Sequence, residues 1–317
     1  MTWITALLVW LLAAFQSPSA EPVPPPVVTT SSLYPEVKDR LTPERMEMLV
    51  ARPLEALDRG DFEEAERRFT DIRSRAAFKN GPSSLEVADL EMSFGVNLFL
   101  AAKETAEGSR ERKAAIGHLR NSVAAYRKHF GNTHPETALA VTSLADALGV
   151  LEGKGSLPER LSLIRESLAI RMKTLGSNNP ETVANEVDMV RLLTDAQETD
   201  AKRFEEAQLL VAQIRSASLP NLPPGHELSP ETIDLIAALP LIRLGRTQEA
   251  MTLVQRSEAK MSDGTIAADY CMQMVGRFDE IRDALTASGH QDLAKTISSD
   301  LSGNCLQALL ESLISAD

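Results

Sequence analysis

The sequence predicts an all-α solenoid of antiparallel helix pairs, on three observations. A helix-start phrase recurs: His134-Pro135-Glu136-Thr137, Asn179-Pro180-Glu181-Thr182 and Ser229-Pro230-Glu231-Thr232. A second landmark recurs between these starts, in Asp61-Phe62-Glu63-Glu64-Ala65, Arg203-Phe204-Glu205-Glu206-Ala207 and Arg246-Thr247-Gln248-Glu249-Ala250, with Ala115 and Arg160 at the matching place in two further units. Those positions, 65, 115, 160, 207 and 250, stand 50, 45, 47 and 43 residues apart. The third observation is that the first-helix landmarks Phe94-Gly95, Leu144-Ala145 and Met189-Val190 keep the same step, 50 and then 45. Two independent landmarks in register are the mark of a helical repeat whose units cannot bury their faces alone.

Each element follows from local chemistry. Ile4 to Phe15 is apolar apart from Thr5. Twelve residues are too few to span a bilayer, which takes about 20, and suit a signal-peptide core of about 7–15. Residues 1–20 therefore read as a signal peptide, cut after Ser19 or Ala20, leaving no stable membrane anchor. Residues 21–40 open on Glu21-Pro22-Val23-Pro24-Pro25-Pro26 and read as a semi-rigid, extended spacer. From Thr42-Pro43-Glu44 the chain is helix after helix. Proline suits the first helical position, whose N–H has no intrahelical partner, and the glutamate complements the positive helix end. Alanine at the second-helix landmark lets two helices approach closely; Arg160 breaks that rule and predicts a looser or shifted unit there. Residues 41–262 thus form about five units, and residues 263–317 a C-terminal helical cap.

The residues Ser167-Leu168-Ala169-Ile170-Arg171-Met172-Lys173-Thr174-Leu175-Gly176 running into Asn179-Pro180-Glu181-Thr182 carry a family resemblance, as does Ser122-Val123-Ala124-Ala125-Tyr126 running through Phe130-Gly131 to His134-Pro135-Glu136-Thr137. They resemble the tetratricopeptide repeat (TPR) family in its longer form of roughly 42 residues, found in kinesin light chains and many bacterial proteins. The resemblance covers about residues 80–215 and is degenerate over 42–80 and 216–262. It implies a right-handed superhelical solenoid with a concave groove lined by the first helix of each pair. The family's groove asparagines, which hold a bound peptide backbone, are replaced here: the matching positions are Met92-Ser93, Thr142-Ser143 and Val187-Asp188. These six are the candidate partner-binding residues.

Composition narrows the function. With 33 Lys+Arg against 45 Asp+Glu, the formal charge is −12. That balance, without a basic run, lacks the footprint of a nucleic-acid binder. Arg67, Arg68, Arg120, Arg127, Arg165 and Arg171 on second helices could form a basic stripe, but their acidic neighbours favour an ordinary solvated face. None of the five histidines pairs at the spacing of a metalloprotease helix, and there is no nucleophile elbow or phosphate loop. No catalytic residue, metal or cofactor is expected. Cys271 and Cys305 lie 34 residues apart and are a disulfide candidate if the compartment is oxidising. No Asn-x-Ser/Thr sequon is present, which favours a bacterial source. The expectation is an exported scaffold, periplasmic or extracellular, that binds a protein or peptide partner in its groove. The alternatives are a small-molecule or glycan-binding solenoid, or an accessory domain of an envelope enzyme complex.

Overall fold

The computed structural model describes residues 41–297 except 104, 107–108, 196–199, 218, 220–225, 227 and 263–267. The signal peptide, the spacer and Cys305 lie outside the described residues, and so does the pairing proposed for Cys271. The described residues form helices joined by turns. These are α1 (Pro43–Asp58), α2 (Phe62–Asn80), α3 (Leu85–Ala102), α4 (Arg110–Phe130), α5 (Pro135–Leu151), α6 (Leu157–Thr174), α7 (Pro180–Leu193), α8 (Ala201–Ser216), α9 (Pro230–Arg243), α10 (Thr247–Ser262), α11 (Ala268–Ala287) and α12 (Gln291–Thr296). A 3-10 turn, Gly153–Ser156, links α5 to α6. Among the described residues no helix is long and apolar enough to cross a membrane.

The helix starts are built as their chemistry requires. Thr42 caps α1 through its hydroxyl, which accepts from the Arg45 N–H at 3.3 Å. His134 caps α5 through Nδ1, which accepts from the Glu136 N–H at 3.2 Å, and Asn179 caps α7 by accepting from the Glu181 N–H at 2.9 Å. Each satisfies a donor that the helix itself leaves free. The turn after α4 needs Gly131, whose φ of 85° disfavours any side chain.

Consecutive helices pack in pairs: α1 with α2, α3 with α4, α5 with α6, α7 with α8, and α9 with α10. The second helices α2, α4, α6 and α8 also pack against the first helix of the next unit, α3, α5, α7 and α9 in turn. First helices stack α1 on α3, α3 on α5, α7 on α9 and α9 on α11. This is an all-α solenoid. Alanines at the second-helix landmark, Ala65, Ala115, Ala207 and Ala250, are fully buried, which is what close approach of two helices demands.

Arg160 stands where the other units place an alanine, yet α5 and α6 pack closely there. Its guanidinium lies over the backbone of Gly149, where an added Cβ would stand 2.5 Å from Cζ. A glycine inside a helix costs about 1 kcal/mol relative to alanine. Here it makes room for a side chain far larger than the repeat expects. α5 and α7 do not close on each other as other neighbouring first helices do, and the gap between them is a cavity.

The surface of the second helices is ordinary. Arg120 pairs with Glu159 at 3.0 Å, Arg127 with Glu166 at 2.6 Å and Arg165 with Glu206 at 2.9 Å, each linking one second helix to the next. Arg67 and Arg68 pair with Glu64, and Arg171 is buried. The arginines make a ladder of ion pairs, not a free basic stripe.

Candidate functional site

The cavity measures about 330 Å³. α5 contributes Asp146; α6 contributes Arg160 and Ile164; α7 contributes Asp188 and Arg191, with Asp195 just beyond its end. Its far wall is α11, through Glu280 and Asp283, and Leu239 of α9 lies on its floor. The wall is latched: Arg191 reaches across to Glu280 at 2.5 Å and lies 3.9 Å from Asp188, while Arg277 holds the same glutamate at 3.1 Å.

The charges here are not balanced. Five carboxylates face two arginines around the cavity. Asp146 makes no hydrogen bond or ion pair with any described residue. The surrounding protein, and next the charge of Asp188, push its carboxyl up to about 6, against the pull of Arg160, Arg191 and Arg171. Water still reaches the Asp146 side chain, so this is a crowded cleft, not a sealed interior. Among the described residues Arg160 is likewise unpaired, and its buried Nε has no hydrogen-bond partner. Burial, its first cause, lowers the pKa of its guanidinium. Among the described residues no group of three or more His, Cys, Asp or Glu is arranged to hold a metal ion.

A second polar cluster lies deeper and is satisfied. His118 of α4 shares hydrogen bonds with Glu91 of α3 through Nδ1, at 2.6 Å, and with Glu66 of α2 through Nε2, at 3.1 Å. Arg73 also pairs with Glu91. The rings of Phe69 and Phe94 stack 4.2 Å apart, and each meets His118 edge-on, at 5.0 and 5.1 Å. This packing leaves no room for a substrate, and the cluster reads as a structural clamp.

The six residues chosen from the sequence are placed unevenly. Asp188 lines the cavity. Met92, Ser93 and Ser143 are half-buried. Thr142 is turned to its own unit: its hydroxyl shares a hydrogen bond of 2.8 Å with Ser167 of α6 and donates to the Ala138 carbonyl at 3.0 Å. Val187 is only 4% exposed and offers nothing to a partner. Asp146 and Arg191, one turn further along their helices, were missed. The signals that could have found the cavity were Arg160 at an alanine position and Gly149 inside a helix opposite it.

Solved structures share this architecture. Two crystal structures of kinesin light chain nearly identical TPR-like repeats from Podosopora anserina, one of them carrying a point substitution, match with TM-scores of 0.53. The substituted form is 18% identical, covering 70% of this chain and 97% of its own; the other is 19% identical, covering 70% and 98%. The fold is TPR-like. No protein-family model matches the chain, and no curated protein matches it. At this identity the likeness is one of architecture: helix pairs in a TPR-like stack, into which this chain sets Arg160 against Gly149.

Proposed function

We propose that the chain is an exported scaffold, with no catalysis of its own, that binds a segment of a protein partner across the exposed faces of its first helices. The observation that carries this reading is a set of unpartnered apolar side chains on those faces. Leu100 of α3 and Val150 of α5 sit at matched positions 50 residues apart and are 50% and 52% exposed, and Leu139 of α5 is 37% exposed. Apolar groups left in water at equivalent places on neighbouring helices make a surface suited to an extended apolar segment. TPR-like solenoids generally serve such binding through their long faces.

Export rests on the apolar stretch Ile4–Phe15 and the small residues after it. Both tryptophans, Trp3 and Trp10, lie in that segment. The exported protein should therefore show no tryptophan fluorescence and should begin at Ala20 or Glu21. Recovery of an uncut N-terminus from the cell envelope would refute cleavage.

Docking is tested by crosslinking capture from the exported fraction, comparing Leu100→Arg and Val150→Arg with Leu209→Arg on α8. Leu209 is 68% exposed on a second helix and serves as the control. The first two substitutions should abolish capture of the same partner while helical circular dichroism is unchanged, and the control should retain it. Equal capture by all three variants would place the docking surface elsewhere.

A further inference from the structure

The cavity between α5, α6 and α7 holds two charged groups of opposite sign that bond to no described residue. Arg160 is fixed across Gly149 with its Nε buried and unpartnered. Asp146 stands one turn before Gly149 on the same helix and faces α7, whose Asp188 raises the negative charge at that point. The two feel each other electrostatically but form no ion pair. Apolar side chains line the same cavity: Ile164, Leu192 and Leu239. We propose that this cavity is a binding site for a free α-amino acid, whose carboxylate is received by Arg160, whose ammonium is received by Asp146 and Asp188, and whose side chain rests on the apolar floor.

Three arguments favour this ligand over simpler ones. A lone cation would satisfy the carboxylates and leave Arg160 unpaired beside a like charge. A lone anion would meet Arg160 at the cost of entering a cavity with five carboxylates. A zwitterion answers both groups at once: the buried Nε of Arg160 gains the partner it lacks, and the exposed Asp146 gains a counter-charge. The volume of about 330 Å³ lies at the small end of ligand sites, about 300–1,000 Å³, and the lining is more charged than in most such sites, as suits a doubly charged ligand. An arriving ammonium would also lower the Asp146 carboxyl again, since a nearby positive charge favours the carboxylate that burial, and then Asp188, disfavour. The inference is separate from partner docking, because the apolar face at Leu100 and Val150 takes no part in it.

Calorimetric titration of the mature full chain at neutral pH tests it, with each of the twenty common amino acids and with acetate and ethylammonium as half-ligands. At least one aliphatic amino acid should bind, and each half-ligand should bind at least about tenfold more weakly. Arg160→Met and Asp146→Asn should each weaken binding by about tenfold or more with unchanged melting behaviour, and Leu100→Arg should leave it intact. Gly149→Ala, which pushes the guanidinium from its seat, should weaken it as well. Three results would overturn the proposal: no binding of any amino acid up to about 10 mM, ethylammonium binding as tightly as the amino acid, or undiminished binding in Asp146→Asn.

Discussion

Glu91 and Glu186 hold the same place in the repeat, 95 residues and two units apart, and their surroundings treat them oppositely. Glu91, 1% exposed, is gripped by Arg73 and by His118. Burial opposes charge on His118, but the hydrogen bonds to Glu66 and then Glu91 outweigh it and hold the imidazole up at about 9. His118 is therefore an imidazolium at neutral pH. Its stabilising contribution is complete below its ordinary value of 6.5 and fades as pH rises through about 9. His118→Ala removes one of the two cations that compensate a buried carboxylate, a change that typically costs about 3–5 kcal/mol. In urea unfolding the deficit should be largest at pH 6 and should shrink, leaving only lost packing, near pH 10. A deficit equal at both values would mean that the imidazole is neutral throughout.

At the scale of elements, α9 departs furthest from a surface helix. Every residue from Thr232 to Ile242 is buried; Asp234 is held there by Arg215 at 2.7 Å and Arg256 at 2.6 Å, and most of the rest is apolar. α11 provides the last side: Met274, Phe278, Ile281 and Leu285 are buried, and the Thr232 hydroxyl lies 3.1 Å from the Met274 sulfur. A helix buried on every side needs such cover. Phe278→Ala should cost about 3–5 kcal/mol. Because units of a solenoid support only their neighbours, the loss should be local at first. Amide exchange should accelerate in α9 and α10 while α3 to α6 stay protected, and uniform acceleration would count against this. The helix pairs were legible in the sequence because Pro-Glu-Thr and the buried alanines act locally, within one turn or one helix crossing. The covering of α9 was not, and neither was the far wall of the cavity. Both depend on where α11 returns, as in the contact of Arg191 with Glu280, 89 residues on. Arg160 was legible as an anomaly; that Gly149 seats it became visible only when the two were brought together.

For the whole molecule, the charged groups combine into a pH dependence of stability with one sign above pH 5. The ion-pair ladder on the second helices contributes little, because exposed pairs are worth about 0–1 kcal/mol each and weaken with salt. The net charge of −12 adds self-repulsion that grows as remaining protons leave. His118 subtracts stability as pH rises from 6.5 through about 9. Glu186 acts in the same direction from lower pH. It is 2% exposed, and burial pushes its carboxyl up to about 7 from 4.5. Below pH 4.5 it is protonated both folded and unfolded and has no effect on the balance. Between 4.5 and about 7 the unfolded chain releases the proton and the folded chain keeps it, so stability falls, by about 3 kcal/mol in all at 1.36 kcal/mol per pKa unit. The folded protein should therefore be more stable at pH 5 than at pH 9, in contrast to proteins governed by carboxylates whose pKa is depressed. Glu186→Leu removes the group and keeps an apolar side chain in its place. Its gain in urea unfolding free energy should be larger at pH 8 than at pH 4 by about that same 3 kcal/mol. A gain independent of pH would show that Glu186 finds a compensating charge in the folded chain, and the equivalence with Glu91 would then extend from position to chemistry.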